Sequence, residues 1–155
     1  WWSIIINLAI CASGDKVSVN KIAVIGAGQM GSGIAQVFAA QNYKVKLSDL
    51  SIAALKGAVD NITGSCDRLI KKQAMTAEQK VVLLGNIQIT TELSDVSDCN
   101  FAVEAVSENL NVKIDIIKKV KFLTQCAIIG RQDIIIPPLN SPVIKLIKGM
   151  GRTWF

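Results

Sequence analysis

From Lys21 onward the apolar positions of this chain alternate between two kinds of pattern. I22-A-V-I25 is an uninterrupted apolar run closed by a glycine, which predicts a short strand buried on both faces, as in a parallel sheet. Met30 to Gln41 places apolar residues at Met30, Ile34, Val37 and Phe38 with no proline, the spacing of an amphipathic helix. Y43-K-V-K-L-S48 alternates as a second strand and ends at Asp49. Ser51 can cap a helix through Leu55, Val59 and Ile62, which Gly64 is expected to interrupt or loosen before a basic segment ends at Lys72. T76-A-E-Q79 has capping-box spacing and starts a short helix towards Leu84. Strands are predicted at I87-Q-I-T90, F101-A-V-E-A-V106 and A127-I-I-G130. Between the last two, Asn109 can cap a helix with Leu110, Ile114 and Ile117 on its apolar face. Strands alternating with helices predict an α/β fold, a doubly wound parallel sheet with helices on both faces.

Composition narrows the partners. A chain of 155 residues, 50% hydrophobic and 19% charged, has room for one domain with a proper core. The net charge of +5 suits an anionic ligand. Its cations are dispersed, apart from Lys71-Lys72 and the group Lys118, Lys119 and Lys121, and neither cluster is interleaved with aromatics, so no nucleic-acid partner is expected. The four cysteines (Cys11, Cys66, Cys99, Cys126) are far apart and no histidine accompanies them, so no metal site is expected. Free thiols point to a reducing compartment, and a cytoplasmic location is expected. Ile4 to Cys11 is too short and too interrupted by Asn7 to span a bilayer, and lacks the positive flank of a signal peptide. Residues 1–20 are therefore read as an N-terminal extension that adds little to the fold, and no membrane partner is expected.

The chemistry begins at V24-I-G-A-G-Q-M-G-S-G33, where Gly26, Gly28 and Gly31 satisfy G-x-G-x-x-G. Gly26 permits a tight turn out of the strand, Gly28 lets a pyrophosphate approach the backbone, and Gly31 lets the helix pack closely on the strand. The N–H groups near Gln29 and Met30 would then face the phosphates at the positive end of the helix dipole. The motif gains meaning from its context: it follows a strand, opens a helix, and has an acid 18 residues after Gly31. Asp49 can accept hydrogen bonds from both ribose hydroxyls and would repel a 2′-phosphate, which favours NAD over NADP. A flavin is the alternative cofactor, and a glycine-rich turn beside a solvated aspartate is the plain structural alternative.

Three stretches then carry a family resemblance: K21-I-A-V-I-G-A-G-Q-M-G-S-G-I-A-Q36, S65-C-D-R-L-I-K-K72 and V103-E-A-V-S-E-N-L-N-V-K113. Together they resemble the NAD-binding domain of the 3-hydroxyacyl-CoA dehydrogenases, in particular the 3-hydroxybutyryl-CoA dehydrogenase branch, over residues 21–130. The resemblance implies a Rossmann-type sheet and NAD as cofactor. It further implies that Ala105, Glu108 and Lys113 line the nicotinamide side, and that Ser65 and Lys72 contact the CoA moiety of an acyl-CoA. A surface ion pair between Glu108 and Lys113 and a solvated basic face at Lys71-Lys72 are the bland alternatives. Seven residues apart on one helix, Ser65 and Lys72 would share a face.

The family pattern breaks after Gly130. There it implies a Ser/Asn/Thr-rich loop, a helix, a strand, the histidine that acts as general base, an orienting glutamate, and a helical domain that forms the dimer. Here R131-Q-D-I-I-I-P-P-L-N-S-P-V-I-K-L-I-K148 follows directly. Read against the stretch after the family's histidine, Ile136 takes the histidine position and Lys148 the glutamate position. Residues 131–155 are thus expected to be a divergent remnant that leaves an apolar strand edge exposed. Homodimerisation is not expected. Three functional readings follow: a family member with little or no dehydrogenase activity of its own, a non-catalytic NAD(H)-binding module, or a marginally folded gene remnant.

Overall fold

The computed structural model describes residues 20–99, 101–106, Asp115, Ile116, Lys118 and Lys119, and the backbone of 127–130 and 135–136. In chain order the elements are β1 (Lys21–Ile25), α1 (Gln29–Ala40), β2 (Lys44–Ser48), α2 (Ile52–Lys71), α3 (Ala77–Gly85), β3 (Ile87–Thr90), a 3₁₀ turn (Leu93–Asp98), β4 (Phe101–Glu104), β5 (Ala127–Gly130) and β6 (Ile135–Ile136). The strand order is β3-β2-β1-β4-β5-β6. The first five run parallel, and β6 pairs antiparallel with β5 through Ile128↔Ile136 and Ile129↔Ile135. The outer edge of β5 is therefore covered by β6 and not left open as the sequence suggested. The order in which strands are added reverses at β1, whose neighbours are β2 and β4, and that places a crevice at the carboxyl ends of these strands.

Successive side chains of each strand serve opposite faces, which splits the core in two. Ile22, Val24, Val45, Leu47, Phe101 and Val103 pack against Phe38 and Ala39 of α1, Leu55, Ala58 and Ile62 of α2, and Leu83 of α3. Ala23, Ile25 and Ala102 face the other way and are covered by Val96 of the 3₁₀ turn, Cys99 and the half-buried Leu93, Val106 and Ile116. The predicted helix capped by Asn109 falls largely outside the described residues; Asp115, Ile116, Lys118 and Lys119 are helical.

Two expectations need correction here. The buried face of α1 is Gly31, Ser32, Ala35, Phe38 and Ala39, whereas Met30 and Val37 are 43% and 52% exposed. Small residues bring this helix close to the sheet, and the bulkier apolar ones turn outward. Gly64 does not break α2, which continues for 20 residues. Its glycine cost of about 1 kcal/mol is outweighed by burial of Leu55, Ala58, Ile62 and Cys66 along one face. The predicted caps form: Ser51 Oγ accepts from the Ala54 amide, and Thr76 and Gln79 make a full capping box. Burial pushes the Cys66 thiol above its ordinary pKa, so this cysteine stays protonated.

At the amino ends of the strands, Asp98 accepts hydrogen bonds from Lys21 Nζ and Lys46 Nζ, each 2.7 Å long. The two ammonium groups lower its pKa from 3.8 to about 2. Because the folded-state value is depressed, the stabilisation is complete above pH 3.8 and fades as the pH falls through about 2. Asp98 is 45% exposed, so solvent screening limits the contribution to about 1 kcal/mol. Urea titrations should show Asp98→Asn less stable than the parent near neutral pH, with the gap closing between about pH 4 and about pH 2. A gap that stays constant across that range would exclude this ionic origin.

Candidate functional site

The turn between β1 and α1 is built by contacts that exclude side chains. Gly26 has φ +105°, and a Cβ there would lie 2.6 Å from the Ala105 carbonyl oxygen and 3.0 Å from the Val106 amide nitrogen. Its amide donates to the Ser48 carbonyl at 2.7 Å, and the Ala105 amide donates to the Ile25 carbonyl at 2.8 Å. A Cβ on Gly31 would overlap the Gly26 carbonyl oxygen. Its close approach is thus to the turn itself, where the sequence reading had placed it against the strand. Gly28 differs: beyond its own chain neighbours, no heavy atom lies within 4 Å of where its Cβ would be. The backbone there faces open space.

Gly28 is also the N-cap of α1, without a side-chain cap and with no acid in the helix's first turn. The first amides of a helix lack intrahelical acceptors, so those of Gln29 and Met30 are placed to meet an anion at the positive end of the dipole. Asp49 follows β2 beside this turn. Its Oδ2 accepts from the Ala27 amide at 2.8 Å and its Oδ1 from the Ser51 amide at 2.9 Å. The side chain is half-buried, and an ionised carboxylate retains lone pairs beyond these two bonds.

Ala105 sits on the opposite side of the turn from Asp49, half-buried and in contact with Gly26. Glu108 and Lys113 lie outside the described residues. Glu104, which sequence reasoning passed over, is 2% exposed, and its Oε1 accepts from the Val106 amide at 2.8 Å. It thereby holds the Ala105–Val106 turn against Gly26. An acid ending an otherwise apolar strand, F101-A-V-E104, was the available signal.

A groove of about 680 Å³ runs from Gly28 and Gln29 between α1 and α2 to Ser65 and Arg68. Gln36 Nε2 donates to Ser65 Oγ at 3.1 Å across it. Lys72, the C-cap of α2, is not among the residues that line this groove. The cation that reaches the groove with Ser65 is Arg68, one helical turn on. No helix among the described residues is long and apolar enough to cross a membrane.

Strand order, glycine turn and adjacent acid define a dinucleotide-binding domain of the Rossmann class. Comparison with known proteins makes this more particular. Residues 21–131 match the family model of the 3-hydroxyacyl-CoA dehydrogenase NAD binding domain. A 3-hydroxybutyryl-CoA dehydrogenase of Bradyrhizobium diazoefficiens is 35% identical over 123 residues, covering 79% of this chain and 40% of the relative. A probable 3-hydroxybutyryl-CoA dehydrogenase of Deinococcus radiodurans is 41% identical over 99 residues, covering 64% of this chain and 35% of the relative. The crystal structure of (S)-3-hydroxybutyryl-CoA dehydrogenase from Ralstonia eutropha superposes with a TM-score of 0.71 at 33% identity, covering 73% of this chain and 41% of that one. The chain belongs to the 3-hydroxyacyl-CoA dehydrogenase family, and what it matches is the family's NAD-binding domain. It spans less than half the length of these relatives. NAD is the cofactor that family and site support, and the open backbone at Gly28 beside an uncapped helix end fits its diphosphate.

Proposed function

We propose that this chain holds NAD(H) as the cofactor half of an (S)-3-hydroxyacyl-CoA dehydrogenase, and that by itself it does not carry out the reaction. When bound, NAD⁺ supplies the hydride acceptor for oxidation of the 3-hydroxyl to a ketone. The chain's own residues bind and orient. Gly26 and Gly31 shape the turn, the amides at Gln29 and Met30 receive the diphosphate over Gly28, and Asp49 accepts from the adenosine ribose hydroxyls. Ala105, with Glu108 and Lys113, lines the nicotinamide side. Ser65 and Arg68 offer a hydroxyl and a guanidinium to the phosphates of an acyl-CoA along the groove, and Lys72, at the end of the same helix, offers a further cation. A non-catalytic NAD(H)-binding module is the same reading without a substrate.

The observation that carries the proposal is the unfilled space over Gly28, flanked by the helix N-terminus and the Asp49 carboxylate. Calorimetric titration with NADH should reveal one saturable site, weakened in Asp49→Ala by about tenfold, close to the loss of one charge-assisted hydrogen bond. Absence of heat at about millimolar NADH, far above an ordinary cofactor affinity, would defeat it.

A further inference from the structure

Asp49 is already engaged before any ligand arrives. One carboxylate oxygen takes the Ala27 amide, from the middle of the glycine turn, and the other takes the Ser51 amide, which opens α2. Ser51 Oγ in turn caps α2 through Ala54, and the Asp49 amide is anchored on the Thr90 carbonyl of β3 at 3.2 Å. Asp49 therefore joins three parts of the sheet's carboxyl edge: the phosphate turn and the start of α2 through its carboxylate, and the end of β3 through its backbone amide. Ala27 is itself buried, and the Asp49 carboxylate is the acceptor its amide uses in the free protein.

We propose that Asp49 is a positioning residue for the phosphate turn, holding it in its binding shape independently of any contact with ribose. This rests on the proposed NAD(H) function for its purpose, and not for its geometry. Ala27 lies between Gly26, at positive φ, and the open Gly28, so its bond to Asp49 fixes the peptide that leads from the tight turn into the open one. Preorganisation of this kind improves affinity by removing the ordering cost from the binding step. Loss of Asp49 then weakens any ligand that uses the turn, including one with no ribose hydroxyls.

The test has one arm without ligand and one with. In the free protein, amide hydrogen exchange at Ala27 should accelerate about tenfold or more in Asp49→Ala, while the neighbouring Gly26 amide, bonded to the Ser48 carbonyl, changes less than about twofold. Asp49→Asn keeps one acceptor and should fall between, and it carries the test if the alanine variant does not fold. In the second arm, 2′,3′-dideoxy-ADP is titrated as the probe. Its affinity should fall about fivefold in Asp49→Ala, without any ribose hydroxyl for the carboxylate to hold. Parallel acceleration at Gly26 and Ala27, no change at either, or unchanged affinity for the dideoxy probe beside weakened ADP would each overturn the proposal. Failure of the parent to bind NADH would defeat the functional reading and leave the exchange result standing.

Discussion

Gly31→Ala is expected to abolish measurable NADH binding and to destabilise the fold by about 3 kcal/mol, the upper end of ordinary overpacking. The added methyl would overlap the Gly26 carbonyl oxygen, a backbone atom that no rotamer change can move aside. Relief requires either lifting the start of α1 off the turn or shifting Gly26, and Gly26 is itself pinned by its bond to Ser48 and by the Ala105 peptide. Either movement carries the Gln29 and Met30 amides away from where a diphosphate would lie. Gly28→Ala supplies the contrast. At Gly28, φ is −70° and no protein atom is near, so the methyl fits the free protein and should leave the melting midpoint close to the parent's. It occupies the ligand's space, however, and should weaken NADH strongly. Urea titration beside calorimetry on the two variants separates stability from binding. If Gly31→Ala unfolds like the parent, or if Gly28→Ala loses as much stability as Gly31→Ala, the division of labour among the glycines is wrong.

The tight turn at Gly26 and the open backbone at Gly28 were legible in the sequence, because glycines at fixed spacing after an apolar run have few other uses, whereas the partner of Gly31 was not. β1, β4 and β5 were legible as short apolar runs, as strands covered on both faces in a parallel sheet should be, whereas β2 and β3, nearer the edge, were legible by alternation. The face of α1 was misread, since a periodicity weighted towards large apolar side chains selects Met30 and Val37 and overlooks Gly31, Ala35 and Ala39. Close helix–sheet approach favours small residues, and they leave little hydrophobic signal. The 3₁₀ turn was missed because L93-S-D-V-S-D98 has a single strongly buried apolar residue, Val96. The hydrogen bond from the Ala27 amide to Asp49 spans 22 residues, and no local pattern encodes it; Glu104 accepts from the Val106 amide two residues on, and its signal was an acid closing an apolar strand.

No family-like turnover of acetoacetyl-CoA with NADH is expected from this chain, although NADH is expected to bind. Hydride transfer to a ketone needs an acid within hydrogen-bond reach of the carbonyl oxygen, and oxidation of the alcohol needs the conjugate base in the same place. The family resemblance assigns that work to a histidine, and this chain contains none. In the register read from the sequence its place falls to Ile136, whose backbone lies in β6, paired antiparallel with Ile128 of β5. A hydrocarbon there neither accepts nor donates a proton. Lys148, at the orienting glutamate's position, lies outside the described residues and carries the wrong charge at neutral pH for pairing with an imidazolium. Loss of a general base alone lowers rates about 10²- to 10⁴-fold, or roughly 3–5 kcal/mol of barrier. Following absorbance of NADH on the same sample used for calorimetry keeps the two questions apart. A saturable NADH site without turnover supports a binding half that lacks the proton-transfer group. Turnover near the common enzyme value of about 10 s⁻¹ would mean that another residue of this chain moves the proton, and the reading of residues 131–155 would have to be abandoned.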